Sequence, residues 1–351
     1  MRLRCGWPYQ GSWPRPRSSR NRRRISMSDQ AQIGFIGCGG NASGHMRQLS
    51  KLPDARLVAV CDIAEDRAKQ AAEAHQAEAY TDYHKMLERP DLDAVYLSLP
   101  VFAHGEPEMA VIERGLPFLV EKPVARTMQT ARRVEEAVRR RGLMTAVGYQ
   151  LRYMGGTVAA RQELAGKTVS LAVGKYWCGS GRGNPDHWVR QMALSGGQLL
   201  EQATHTIDMM RYLLGEVKEV YTRRAARQLS EIDCADTHVV ALEFESGAIG
   251  SLTTTWAYDP SDWSHANVLD IAYDQSLLHW TGGKVAITEK KETRDVEAPG
   301  RGIDEVFVEA VRTKNPALIK SPYSDAVKSL AVSLAMNESA DEGRPVRVAT
   351  V

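Results

Sequence analysis

Three groups of residues in this chain have the types and the spacing to do chemistry. The run Gly37-Cys38-Gly39-Gly40-Asn41-Ala42 is a GxGxxG pattern with alanine in the last place. Small residues there allow a tight turn, a close backbone approach to a pyrophosphate, and tight packing of the next helix on its strand. The helix N-terminus then offers free N–H groups and partial positive charge to phosphates. Asp62 follows 20 residues after Ala42, where an acid accepts from an adenosine ribose and repels a 2′-phosphate. That predicts NAD, with NADP the lesser expectation because Arg67 is near. The alternative for Asp62 is a helix cap.

The second group is Glu121-Lys122-Pro123, just past a short apolar run. At a strand end this loop would face the nicotinamide, as would Leu99, Pro100 and His104 after the preceding strand. A lysine buried beside an oxidised nicotinamide has a lowered pKa and suits a proton relay near neutrality. A cis Lys122–Pro123 bond would fix the turn. The third group is Glu201, His205, Asp208 and Tyr212, spaced i, i+4, i+7 and i+11 opposite an apolar stripe of Ala203, Ile207, Met210 and Leu214. An acid, an imidazole and an acid then share one helix face, with Asp208 read as bracing a neighbour. Glu201 and His205 also have metal-ligand spacing, but no Cys or His partner completes a set, so no metal is expected.

The elements that must position these groups follow from periodicity. Residues 31–150 alternate short apolar runs with helical patterns, as in βαβ units. Strands are expected at 32–36, 56–61, 94–99, 118–120 and 143–147. Helices are expected from the Gly-rich turn to Leu49, at 65–75, 81–87, 106–114 and 127–141, with Gly115 and Gly142 closing the last two. Beyond residue 151 the pattern becomes a helix near 157–165, a strand at 169–177, a single helix over 198–214, then strand-like runs to 288. Helices return at 303–312 and 324–339. Several of those runs alternate apolar and polar residues, as in an antiparallel sheet with one covered face. The fold class is α/β: an N-terminal Rossmann domain over 31–150, then a C-terminal α/β domain over 151–351 with a large, mostly antiparallel open sheet. An exposed apolar sheet face calls for a second copy, so a homodimer or homotetramer is expected.

Composition excludes some classes. The eight arginines of residues 1–26 exceed the formal charge of +2, so the rest of the chain is net acidic and gives no reason to expect nucleic-acid binding. Residues 1–30 lack periodicity and are expected to be a disordered extension, with translation expected to begin at Met27. No apolar run follows Arg22-Arg23-Arg24, so export is not expected. No stretch is long and apolar enough to span a membrane. Five scattered cysteines suggest neither a disulfide framework nor a zinc motif, which places the protein in the cytoplasm.

Taken together, the Gly37 fingerprint, Glu121-Lys122-Pro123, Gly148-Tyr149-Gln150-Leu151-Arg152-Tyr153 and Ser195-Gly196-Gly197 leading to Glu201, His205 and Asp208 resemble the glucose–fructose oxidoreductase/inositol 2-dehydrogenase (Gfo/Idh/MocA) family. The resemblance spans Gln32 to about Ala340. It implies hydride transfer between a bound nicotinamide and a sugar, sugar derivative or cyclitol. It also places the acid and His205 in the active site, with His205 as acid/base or hydroxyl ligand beside Lys122. The family's inositol dehydrogenases have Asp where this chain has Glu201, which argues against inositol. Tyr153, Trp177 and Trp188 are candidates for sugar contact. Arg182, Asn184 and His187 in the Gly-rich loop suit either a sugar or an interface, and Tyr258 and Trp263 are further candidates. Two other functions fit the same pattern: NAD-dependent glycosidic cleavage through transient oxidation, and a non-catalytic sensor that binds dinucleotide or sugar. A sensor has no need of Lys122 and His205 together.

Overall fold

The computed structural model describes residues 30–179, 187–229, 231–258 and 266–351. The first layer is built from β1 (Ala31–Ile36), α1 (Gly40–Leu49), β2 (Ala55–Cys61), α2 (Glu65–His75), β3 (Glu78–Tyr80), α3 (Tyr83–Leu87), β4 (Ala94–Leu97), α4 (Glu106–Glu113), β5 (Phe118–Val120), α5 (Met128–Arg141) and β6 (Thr145–Val147). Its strands are parallel in the order β3-β2-β1-β4-β5-β6. Apart from the exposed edge strand β3 they are largely apolar, because helices cover both faces. The strand order reverses between β1 and β4, and a crevice opens there at the strand C-termini. Gly37 forms its floor at φ +94°, and a Cβ there would lie 2.1 Å from the Ser98 carbonyl oxygen. Only glycine fits. Gly142 ends α5 in the left-handed conformation, as its sequence position predicts.

The chain then forms α6 (Gly155–Glu163), β7 (Val169–Trp177), α7 (Met192–Ser195), α8 (Gly197–Glu201) and α9 (Thr204–Leu214). Next come β8 (Val217–Ala225), β9 (Thr237–Phe244), β10 (Ile249–Thr255), β11 (Asn267–Tyr273), β12 (Ser276–Thr281), β13 (Lys284–Glu289) and β14 (Glu292–Val296). The chain closes with α10 (Ile303–Thr313), α11 (Tyr323–Glu342) and β15 (Val346–Arg347). The second sheet runs β14-β13-β12-β11-β7-β10-β9-β8-β15, antiparallel except where β7 meets β10. Gly174 and Gly250 let α9 sit close to it; a Cβ on Gly174 would lie 3.0 Å from Thr206 and 3.2 Å from the Met210 sulfur.

The opposite face of that sheet is open. Leu171, Val173 and Trp177 of β7, Val239 of β9, Ile249 of β10 and Leu277 of β12 share it and are exposed. Among the described residues no helix is long and apolar enough to cross a membrane.

Two features differ from the sequence expectation. The helix expected over 198–214 is broken at Gln202, whose side-chain oxygen accepts from Cys178 Sγ at 3.0 Å and from Trp256 Nε1. These tertiary bonds hold a non-helical bend that periodicity cannot show. The last helices also return to the first layer: Phe307 of α10 and Tyr323 and Leu330 of α11 pack in the Rossmann core, while Val332 and Met336 of α11 pack in the second.

The closest approach of α6 to the β12–β13 turn predicts a sensitive position. A Cβ on Gly156 would lie 1.9 Å from the Gly283 carbonyl oxygen. Gly156→Ala is expected to destabilise the fold by about 1–3 kcal/mol, read as a lower midpoint in thermal or urea unfolding. An unchanged midpoint would show that the two segments are not held this close.

Candidate active site

A cleft of about 480 Å³ lies between the two layers. α1 contributes Gly40, Asn41, Gly44 and His45, and the loop after β5 contributes Glu121 and Lys122. Tyr176, Glu201, Gln202 and His205 face them from the second layer, and α10 adds Asp304. The first N–H groups of α1 have no intrahelical acceptor, and Gly39 supplies no side-chain cap. Added Cβ atoms on Gly39 and Gly40 would meet nothing within 4 Å. This is the donor set and the open space that a pyrophosphate requires, so the residues present fit a dinucleotide.

Asp62 ends β2 beside this turn. Its Oδ2 accepts from Cys38 N at 2.9 Å, and its Oδ1 from Ala64 N at 2.9 Å and Arg67 Nη2 at 2.8 Å. Burial pushes its pKa up, but Arg67 and the two backbone donors outweigh that and hold it below the usual carboxylate range. Leu99 packs against the Gly37 turn. Pro100 follows it, directly before a 3₁₀ turn over Val101–Ala103. The His104 ring is sealed at the start of α4, with Nδ1 2.5 Å from Glu108 Oε1.

Lys122 crosses the cleft. Its Nζ donates to the Glu201 carbonyl at 2.8 Å and to Glu201 Oε1 at 3.1 Å. The Lys122–Pro123 peptide is cis. His205 lies in the same cleft, edge-on to Tyr149 and Tyr176 at 6.1 and 6.3 Å. Its Nδ1 is buried with no hydrogen-bond partner among the described residues. Burial and then the nearby Lys122 charge push its pKa down to about 3. The ring is therefore held neutral near neutral pH and has polar capacity left for a ligand.

The structure thus brings together Gly40, Asn41, Glu121, Lys122, Glu201 and His205. Others fall elsewhere. Asp208 takes a bidentate pair from Arg152 at 2.7 and 2.6 Å and a bond from Ser329 at 2.8 Å, so it braces the junction as its position suggests. Tyr153 is buried, its hydroxyl accepting from Lys320 N at 2.9 Å, and does not line the cleft. Trp177 lies on the open sheet face and donates to Thr253 Oγ1 at 3.1 Å. Strand alternation turns it away from its neighbour Tyr176, which does line the cleft. Trp188 meets Phe102 edge-on at 6.1 Å and is not among the residues that line the cleft. Arg182, Asn184, Trp263 and residues 1–29 lie outside the described residues. Among the described residues no three His, Cys, Asp or Glu side chains are placed to hold a metal.

Sequence reasoning passed over His45, Tyr176, Gln202 and Asp304. His45 is the one that spacing could have found, since it sits three residues after Ala42 on the helix the glycine turn opens. Its Nε2 lies 2.8 Å from Glu121 Oε1 and its Nδ1 2.6 Å from Asp304 Oδ1. Burial lowers its pKa, but Asp304 and then Glu121 outweigh that and raise it to about 10.

Comparison with known proteins agrees with this architecture. Residues 31–149 match the family model described as an oxidoreductase family with an NAD-binding Rossmann fold, and residues 165–274 match the GFO/IDH/MocA C-terminal domain. The chain is 30% identical to the uncharacterized oxidoreductase YrbE of Bacillus subtilis, over 66% of this chain and 70% of that protein. It is 26% identical to the scyllo-inositol 2-dehydrogenase (NAD(+)) of the same organism, over 92% and 97%. A levoglucosan dehydrogenase solved with NADH superposes with a TM-score of 0.81 at 20% identity, covering 92% of this chain and all (100%) of that one, a likeness of fold.

The depressed His205 pKa has a testable sign. The unfolded ring takes a proton near 6.5, whereas the folded ring does so near 3. The unfolded state thus binds more protons between these values, and stability falls as pH drops from about 6.5 towards 3. His205→Gln should remove that part of the acid limb in urea melts. An acid limb identical to wild type would show that the imidazole is not held neutral.

Proposed function

The chain belongs to the Gfo/Idh/MocA oxidoreductases, with an NAD-binding Rossmann domain, and from that premise we propose that it transfers a hydride between NAD and a secondary alcohol or carbonyl of a sugar, sugar derivative or cyclitol. The observation that carries this reading is the meeting of Lys122 and His205 in one cleft beside the glycine turn. The nicotinamide supplies the hydride acceptor or donor. Gly39, Gly40, Asn41 and Ala42 would hold the pyrophosphate, Asp62 would bind the adenosine ribose, and Glu121 and Lys122 would serve the reactive end. Lys122 exchanges the hydroxyl proton at Nζ. His205, kept neutral by burial, accepts a hydrogen bond from a substrate hydroxyl and fixes its orientation. Glu201 bridges the two functions by holding the lysine. A polyhydroxylated substrate suits the polar wall of Tyr176, Glu201, Gln202 and His205.

The reading extends to a dinucleotide domain over 31–150, a substrate and oligomerisation domain over 151–351, and a cytoplasmic homodimer or homotetramer. Four described cysteines, all buried free thiols, support the compartment. The open apolar face carrying Val173, Val239 and Ile249 supports assembly through the second sheet.

Two experiments test this. Hydride transfer is followed at 340 nm across sugars, sugar acids and cyclitols; at saturating NADH, Lys122→Ala should lose about 10²–10⁴-fold in turnover. Full turnover in that variant would remove Lys122 from the chemistry. Products formed without net NADH would identify redox-neutral cleavage instead of dehydrogenation. Light scattering should show that Val239→Glu with Ile249→Glu yields a smaller species than wild type. Equal masses would clear this face of a role in assembly.

A further inference from the structure

The pairing of charges in the cleft poses a question that the reading above does not answer. Lys122 is next to Glu121 in sequence, and both line the cleft, yet the lysine reaches across to Glu201. The reason lies in what already occupies Glu121. Its Oε1 meets His45 Nε2 at 2.8 Å, and its Oε2 accepts from the Lys122 backbone N–H at 3.3 Å. The carboxylate sits in a fitted slot, since a Cβ on Gly148 would lie 2.7–2.9 Å from it. His45 engages Asp304 with its other nitrogen. Only the imidazolium donates at both ring nitrogens.

Three elements converge on this ring. The loop after β5 brings Glu121, α10 brings Asp304, and β4 brings Tyr96, whose ring centroid is 5.6 Å away. Glu121 and Asp304 are both buried carboxylates, and like charges out of water cannot both stay ionised without a cation between them.

Resting on the dinucleotide reading, we propose that His45 is a positioning residue of this site: held as a cation between Glu121 and Asp304, it keeps Glu121 charged but occupied, and so directs the Lys122 ammonium across the cleft to Glu201. Loss of that cation has two consequences. The nearest replacement for it is Lys122, which turns back toward Glu121 and leaves the substrate side. The cleft also gains net negative charge where the pyrophosphate must bind, and that charge repels it.

The test is a charge cycle read by NADH fluorescence titration at pH 7.5, with wild type, His45→Gln, Glu121→Gln and the double variant. His45→Gln is expected to weaken NADH about tenfold, a coupling of about 1.4 kcal/mol. Adding Glu121→Gln should restore affinity to within about threefold of wild type, because the double variant has the wild-type net charge and a neutral amide needs no cation. Loss of ring packing would not be rescued that way. In crystals of His45→Gln, Lys122 Nζ is expected within about 4 Å of Glu121. An unchanged NADH affinity in His45→Gln, a double variant no better than the single, or a lysine still on Glu201 overturns the proposal. If His45→Gln fails to fold, the double variant decides: a folded, NADH-binding double supports the charge role, and an unfolded one overturns it. Wild type that binds no NADH defeats the dinucleotide reading and this inference with it. Normal wild-type binding with unaffected variants defeats the role of His45 alone.

Discussion

A charge removed from water must find its partner within a few ångströms, and in this cleft there are more acids than cations to share. Glu121, Glu201 and Asp304 converge on one space with, among the described residues that line it, only Lys122 and His45 to serve them. His45 takes two of the acids and Lys122 takes the third. The ion pairs are also the links between elements. The two His45 pairs join the dinucleotide helix to the loop after β5 and to α10, and the Lys122 pair joins that loop to the second layer. The contacts that balance the charge of the cleft are therefore the same ones that hold its walls in place.

The glycine turn sets where that charge cluster can act. Gly37 is fixed by the Ser98 carbonyl oxygen, which leaves no room for a side chain. The crevice between β1 and β4 is thereby pinned at its floor, and α1 begins directly above it. His45 stands less than two turns into α1, so the helix that presents N–H groups to a phosphate also carries the cation that neutralises the acids behind it. A site that binds an anionic dinucleotide and also holds two buried carboxylates with a third beside them needs such a cation.

What the sequence disclosed, and what it hid, follows from the range of the forces involved. The glycine fingerprint, the ends of α4 and α5 at Gly115 and Gly142, and the placement of Asp62 and Lys122 at strand ends are local: each depends on a turn or on strand position. The bend at Gln202 depends on Cys178 and Trp256, which come from other elements. Tyr153 looked like a substrate contact from its place beside a domain junction, yet its hydroxyl is used by Lys320 and Ser321, about 170 residues away. Trp177 and Tyr176 are adjacent, and which one faces the cleft depends on the register of β7, fixed only by pairing with β10 and β11. Asp304 could not be assigned to the site because nothing in its own surroundings says that α10 packs on the first layer.

That return of the C-terminal helices bears on how the cleft can move. α11 packs its Tyr323 end in the first core and its Met336 end in the second. Beside it, Arg152 bridges Asp208 of α9 and Asp325 of α11, and Arg211 joins the same cluster through Asp325 and Ser329. Parting the two layers would strip apolar surface from one helix and pull apart ion pairs whose arginines are buried. A free hinge between dinucleotide and substrate halves is therefore disfavoured. Lys122 and Glu201 stay within reach of each other because the framework around them is shared, and the charge held by His45 selects which of the available acids the lysine meets.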